Sequence, residues 1–141
     1  MLKILIPVDG SSYSERAVKQ VLELADSGAK LAITLLNVQI PIASGHVRMF
    51  ISQDEVNSYH QDEGLAALAS SRALLEAAGV PYNYHIAVGR VAETIVRFAR
   101  EGNIDKIVMG THGRGGLLEL LLGSVAHEVL KIATVPVLLV K

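Results

Sequence analysis

The feature that most constrains this chain is an alternation. Short apolar runs are followed, again and again, by segments whose apolar residues recur at helical spacing. Leu2–Val8, Lys30–Val38, Tyr82–Val88, Lys106–Gly110 and Val137–Val140 read as strands, largely apolar throughout, as expected of strands covered on both faces. Between them, Ser12 with Glu15 three residues on makes a capping box, and Val18, Val21, Leu22 and Ala25 then share a helical face until Gly28 stops it. A second helix from Asp54 to Ala78 carries Leu65, Leu68, Arg72 and Leu75 along one stripe and ends at Gly79 and Pro81. Ala92, Ile95, Val96 and Ala99 mark a third, closed by Gly102, and Ala126, Val129, Leu130 and Ala133 the core face of a fourth that starts at Ser124.

Strands alternating with amphipathic helices predict a parallel sheet with right-handed crossovers. The expected fold is α/β: one doubly wound, Rossmann-like domain over residues 1–141, with five parallel strands in the order 3-2-1-4-5 and helices on both faces. In such sheets ligands bind beyond the carboxyl ends of the strands where the strand order reverses. Here those ends are Pro7-Val8-Asp9 and Met109-Gly110.

Composition removes several function classes. The formal charge is −1, with no long Lys/Arg run, so the electrostatic basis for nonspecific binding to nucleic acid or an anionic membrane is missing. Without cysteine there is neither a disulfide framework nor a thiolate metal site, which points to a reducing, cytoplasmic setting. Pro7 and Asp9 interrupt the N-terminal apolar run before a signal-peptide core forms, and no apolar stretch approaches the ~20 residues of a membrane helix. A soluble protein is expected, with no membrane insertion and no nucleic-acid partner.

Two connections break the rhythm. Gln39–Ser52 carries Ile40, Pro41, Ile42, Met49, Phe50 and Ile51, and such an apolar loop either covers a ligand or partner or packs over the edge of the core. The other, Thr111–Leu122, lies in a stretch with glycines at the strand end (Gly110), within the loop (Gly113, Gly115, Gly116) and just before the last helix (Gly123). Glycine permits backbone angles closed to other residues and lets main-chain N–H groups approach an anion with no Cβ in the way. Gly123-Ser124 opens a helix, so unpaired N–H groups and the positive end of its dipole face a ligand position, and Ser124 adds a hydroxyl. Arg114, the only cation within the loop, can reach an outer phosphate or stand in solvent. Two familiar phosphate fingerprints are absent. Gly116 stands where a Walker lysine belongs, and Gly113-Arg114-Gly115 runs on to Leu118 instead of the third glycine of a dinucleotide motif.

What remains, Gly110, two residues, Gly113, nine residues and Gly123-Ser124, resembles the nucleotide-binding signature of the universal stress protein family, in its ATP-binding branch. Ile6-Pro7-Val8-Asp9-Gly10-Ser11 is similar to that family's opening and Val135-Pro136-Val137-Leu138-Leu139-Val140 to its closing strand. The resemblance implies an adenine nucleotide, ATP or AMP. Pro7, Val8 and Val38 would form the adenine slot, Met109 would flank the base, and Asp9 would contact ribose or adenine. Gly110, Gly113, Gly123, Ser124 and Val125 would line ribose and phosphates. Four of these residues have a plainer reading beside this one. Asp9 alone reads as a turn carboxylate leading into the next helix, and Val8, Val38 and Met109 as core residues, which an apolar slot also accommodates.

The residues offer little for catalysis. The loop has no lysine, its only carboxylate is Glu119, and His112 reads as a hydrogen-bonding loop residue. His46, His60, His85 and His127 form no zinc-type cluster, although Mg2+ or Mn2+ travelling with bound phosphates is compatible with the loop. The scarcity of catalytic groups favours a binding and sensing module, and the resemblance implies an adenine-nucleotide-binding stress-response regulator. A slow ATPase or nucleotidyl-transferring enzyme, and a scaffold that regulates a partner protein or transporter, are the alternatives. The apolar strand Pro136–Val140, guarded only by Lys141, is expected to pair across a two-fold axis into a homodimer, as the resemblance also implies.

Overall fold

The computed structural model describes residues 1–42, 50–113 and 122–141. In chain order these form β1 (Leu2–Pro7), α1 (Ser12–Asp26), β2 (Leu31–Gln39), α2 (Gln53–Ala77), β3 (Tyr82–Val88), α3 (Val91–Glu101), β4 (Lys106–Gly110), α4 (Ser124–Ile132) and β5 (Val137–Val140). The five strands make one sheet in the order β3-β2-β1-β4-β5, every neighbouring pair parallel. The strand order therefore reverses between β1 and β4.

Side-chain alternation along each strand assigns the two faces. Ile4 and Ile6 of β1, Ile33 and Leu35 of β2 and Val108 of β4 pack under α1 and α2, around Val18, Val21, Leu68 and Leu75. Leu5, Leu36, Ile107 and Met109 point the other way, against Ile95 and Ala99 of α3 and Ala126 and Val129 of α4. Each fully buried side chain of this size contributes about 1.5–3 kcal/mol, so both faces are strongly held.

Local details depart from the sequence expectation. The cap of α1 is Ser11, whose hydroxyl accepts the Ser14 N–H at 3.3 Å, whereas Ser12 is already helical and its hydroxyl accepts from Arg16 at 3.0 Å. The turn before it is set by Gly10 at φ +85°, which places the cap one residue earlier than the Ser12–Glu15 spacing suggests. Along α2 the buried stripe is Val56, His60, Gly64, Ala67, Leu68, Ser71 and Leu75, with Leu65 and Arg72 only half-buried on its flank. A close crossing explains the rotation: a Cβ on Gly64 would lie 2.6 Å from the Ile86 side chain, so the small residues must face the sheet. Leu130 is likewise 43% exposed rather than part of the α4 core face. In the connection after β2, Ile40 and Phe50 are 71% and 79% exposed.

Candidate functional site

A cavity of about 240 Å³ opens beyond the carboxyl ends of β1, β2 and β4. Pro7, Val8 and Asp9 at the end of β1 reach it, and so do Val38 of β2 and Met109 and Gly110 of β4. Gly113 and Val125 close the side toward α4. Val91 and Val125 also line a second groove of about 300 Å³, which runs past Ser124 between the first turns of α3 and α4. Together the two spaces fall within the ~300–1,000 Å³ of ordinary small-molecule sites. Of the residues singled out by sequence, eight line the main cavity, Ser124 lines the groove and Gly123 supports the loop behind it. Arg114 lies outside the described residues.

Asp9 fulfils its turn role and still faces the cavity. Its Oδ1 accepts the Ser11 N–H at 2.9 Å and the Ser14 hydroxyl at 2.7 Å, while its own N–H donates to Ser14 Oγ at 3.0 Å. The first turn of α1 thus clamps one carboxylate oxygen. Oδ2 is the oxygen turned toward Gly113, where an added Cβ would sit 2.5 Å from it.

The signature glycines turn out to be positions of close approach. Gly110, Gly113 and Gly123 are not among the positive-φ residues, so the unusual backbone angles expected of such glycines are not what selects them. A Cβ on Gly110 would stand 2.6 Å from Tyr13 Cβ and 3.0 Å from the Tyr13 carbonyl carbon, where β4 passes under α1. On Gly123 it would stand 3.0 Å from His112 Cα and 3.3 Å from the Thr111 carbonyl oxygen. That contact is cemented by a hydrogen bond from the Gly123 N–H to the Thr111 carbonyl at 2.7 Å, so this N–H braces the loop. The following N–H groups, of Ser124, Val125 and Ala126, have no carbonyl within α4 to meet, and no side chain caps the helix. They make its N-terminus a natural position for an anion.

Other residues at the site carry no motif. Asn37 is buried at the end of β2 and donates from Nδ2 to the Val8 carbonyl at 2.8 Å, which ties the two strand ends that wall the cavity. Its Oδ1 accepts from Gln39 at 2.7 Å. An amide side chain within a largely apolar strand was the available signal. Ser14, Ile40, Val91 and Ile95 also reach the cavity, by virtue of topology rather than local spacing. His112 lines it too, with its ring 5.2 Å from that of Tyr13 and its Nδ1 3.0 Å from the Thr111 hydroxyl oxygen. Among the described residues no group of three or more His, Asp and Glu side chains is placed to hold a metal, and no helix is long and apolar enough to cross a membrane.

Comparison with known proteins agrees with this architecture over the full length. The chain is 36% identical over 139 residues to universal stress protein MJ0531 of Methanocaldococcus jannaschii, covering 99% of this chain and 81% of that one. The solved structure of protein MJ0577 from the same organism superposes with a TM-score of 0.84 at 34% identity, covering 99% and 95% of the two chains. A universal stress protein solved in complex with cAMP superposes with a TM-score of 0.71 at 26% identity, covering 99% and 97%. The model of the universal stress protein family matches residues 1–141, and the chain belongs to that family.

Proposed function

We propose that this chain is a regulatory module that binds an adenine nucleotide in the cavity between β1, β2 and β4. The observation that carries the reading is that one cavity gathers both the Pro7-Val8-Asp9 strand end and the glycine signature after β4. The base lies in the apolar slot of Pro7, Val8, Val38 and Met109, and Asp9 Oδ2 meets the ribose or the base edge. The phosphates run along Gly110 and Gly113 toward the first turn of α4 at Gly123, Ser124 and Val125, with Arg114 available from the loop. The relative solved with cAMP supports an adenine ring as the recognised unit. ATP or AMP is the ligand proposed here, with Mg2+ or Mn2+ accompanying the longer phosphate tails.

Binding without efficient turnover fits the side chains best, because the described cavity lining contains no lysine and its one carboxylate, Asp9, is clamped by Ser11 and Ser14. The reading includes a cytoplasmic homodimer paired through the edge strand β5. Thermal denaturation with ATP, ADP, AMP and cAMP tests the nucleotide claim. A ligand at ~100 times its Kd adds about 2.7 kcal/mol of stability, and no shift with any of the four refutes the proposal.

A further inference from the structure

We propose that Arg90 is the cation that receives the outer phosphates, so that the site selects nucleoside di- and triphosphates over monophosphates. This inference rests on the nucleotide reading above and concerns the groove beside the main cavity. The two spaces share Val91 and Val125, so a chain of phosphates leaving the cavity past Val125 enters the groove. Arg90 stands at its rim as the N-cap residue of α3, and no side chain caps that helix. It is the one Lys or Arg among the described residues that line either space.

Among the described residues of the groove, the charge balance turns on this arginine. Glu93 and Glu128 line the same walls, and two carboxylates repel a polyphosphate. Against them stand the open N-termini of α3 and α4, each worth roughly half a positive charge, and the Arg90 guanidinium. Of the described groups, the two carboxylates outweigh the helix ends without the arginine; with it they are close to balanced, and it offers a planar fork for bidentate contact. Arg90 is also available. Its ion pair with Glu93, at 3.4 Å, has side chains 85% and 61% exposed, and such pairs hold weakly. A first phosphate held by the backbone around Gly113 and Val125 stays in the main cavity, whose described lining does not include Arg90, so a monophosphate gains little from it.

Calorimetric titration of the purified protein and of Arg90→Ala with ATP and with AMP, at equal Mg2+, tests the inference. Wild type should bind ATP more tightly than AMP, and Arg90→Ala should lose about tenfold in ATP affinity while AMP affinity stays within twofold. Arg90→Lys should retain part of the preference, and Glu93→Gln, which frees the guanidinium and removes a repulsive charge, should raise ATP affinity. Equal affinities of wild type and Arg90→Ala for ATP, or an equal loss for both nucleotides, overturns the role of Arg90 while leaving the nucleotide site standing. Failure of wild type to bind either nucleotide overturns the nucleotide reading itself.

Discussion

At the residue scale, the three signature glycines do different jobs, and their substitutions should separate. Gly110→Ala drives a methyl into the Tyr13 backbone, which cannot yield cheaply, so it should destabilise the fold by about 1–3 kcal/mol and lower Tm by several degrees. Gly113→Ala meets only the Asp9 carboxylate, a side chain rather than backbone but one whose other oxygen Ser11 and Ser14 hold, so it should cost less Tm than Gly110→Ala and weaken nucleotide binding by displacing Oδ2. Equal Tm losses in both variants would contradict this assignment. Asn37→Ala removes the buried donor to the Val8 carbonyl and should cost about 1–3 kcal/mol in chemical denaturation. The glycine pattern was legible because its spacing is a motif. The reason for it was not, since the groups that crowd Gly110 and Gly113 come from Tyr13 and Asp9, about 100 residues away along the chain.

At the element scale, strand and helix positions were readable to within a residue or two, because apolar runs and helical periodicity are local properties. Errors arose where a tertiary contact decided. The Gly64–Ile86 crossing turned α2 so that small residues face the sheet, a choice that periodicity of large apolar residues cannot detect. The α1 cap offers a direct check. Ser11→Ala should cost about 1 kcal/mol of stability and Ser12→Ala a few tenths, the reverse of what the Ser12–Glu15 spacing suggests. The two sheet edges also differ. On β3, Tyr82 donates to Glu76 and accepts from Arg72, whose guanidinium stacks on Tyr84 4.3 Å from the ring centre, so charged side chains of α2 drape this edge. Burial, and then the Glu76 carboxylate, push the Tyr82 hydroxyl above its usual pKa, so the folded state holds that proton more tightly than the unfolded chain. The resulting stability is complete below about pH 10 and is lost as pH rises through the folded value, a component that Tyr82→Phe should remove from alkaline denaturation curves.

At the scale of the whole molecule, the fold follows from physics that the sequence displays openly, whereas the site follows from where that fold brings distant segments together. Strand ends at residues 7–9, 38 and 109–113 meet because the order reverses between β1 and β4, and Ser14, Asn37 and Val91 come to the cavity for the same reason. The β5 edge, where Leu138 is 44% exposed, is the surface proposed to pair between copies. Leu138→Lys should shift the light-scattering mass from dimer to monomer; a monomeric wild-type mass at micromolar concentration refutes the pairing. The central claim is the adenine-nucleotide cavity, and an amide-resolved NMR titration with AMP tests it most directly. Saturable shifts should concentrate at Val8, Asp9, Val38, Met109, Gly110, Gly113 and Val125 while β3 and the outer face of α2 stay still; no saturable shifts up to millimolar AMP, or shifts centred elsewhere, would contradict it.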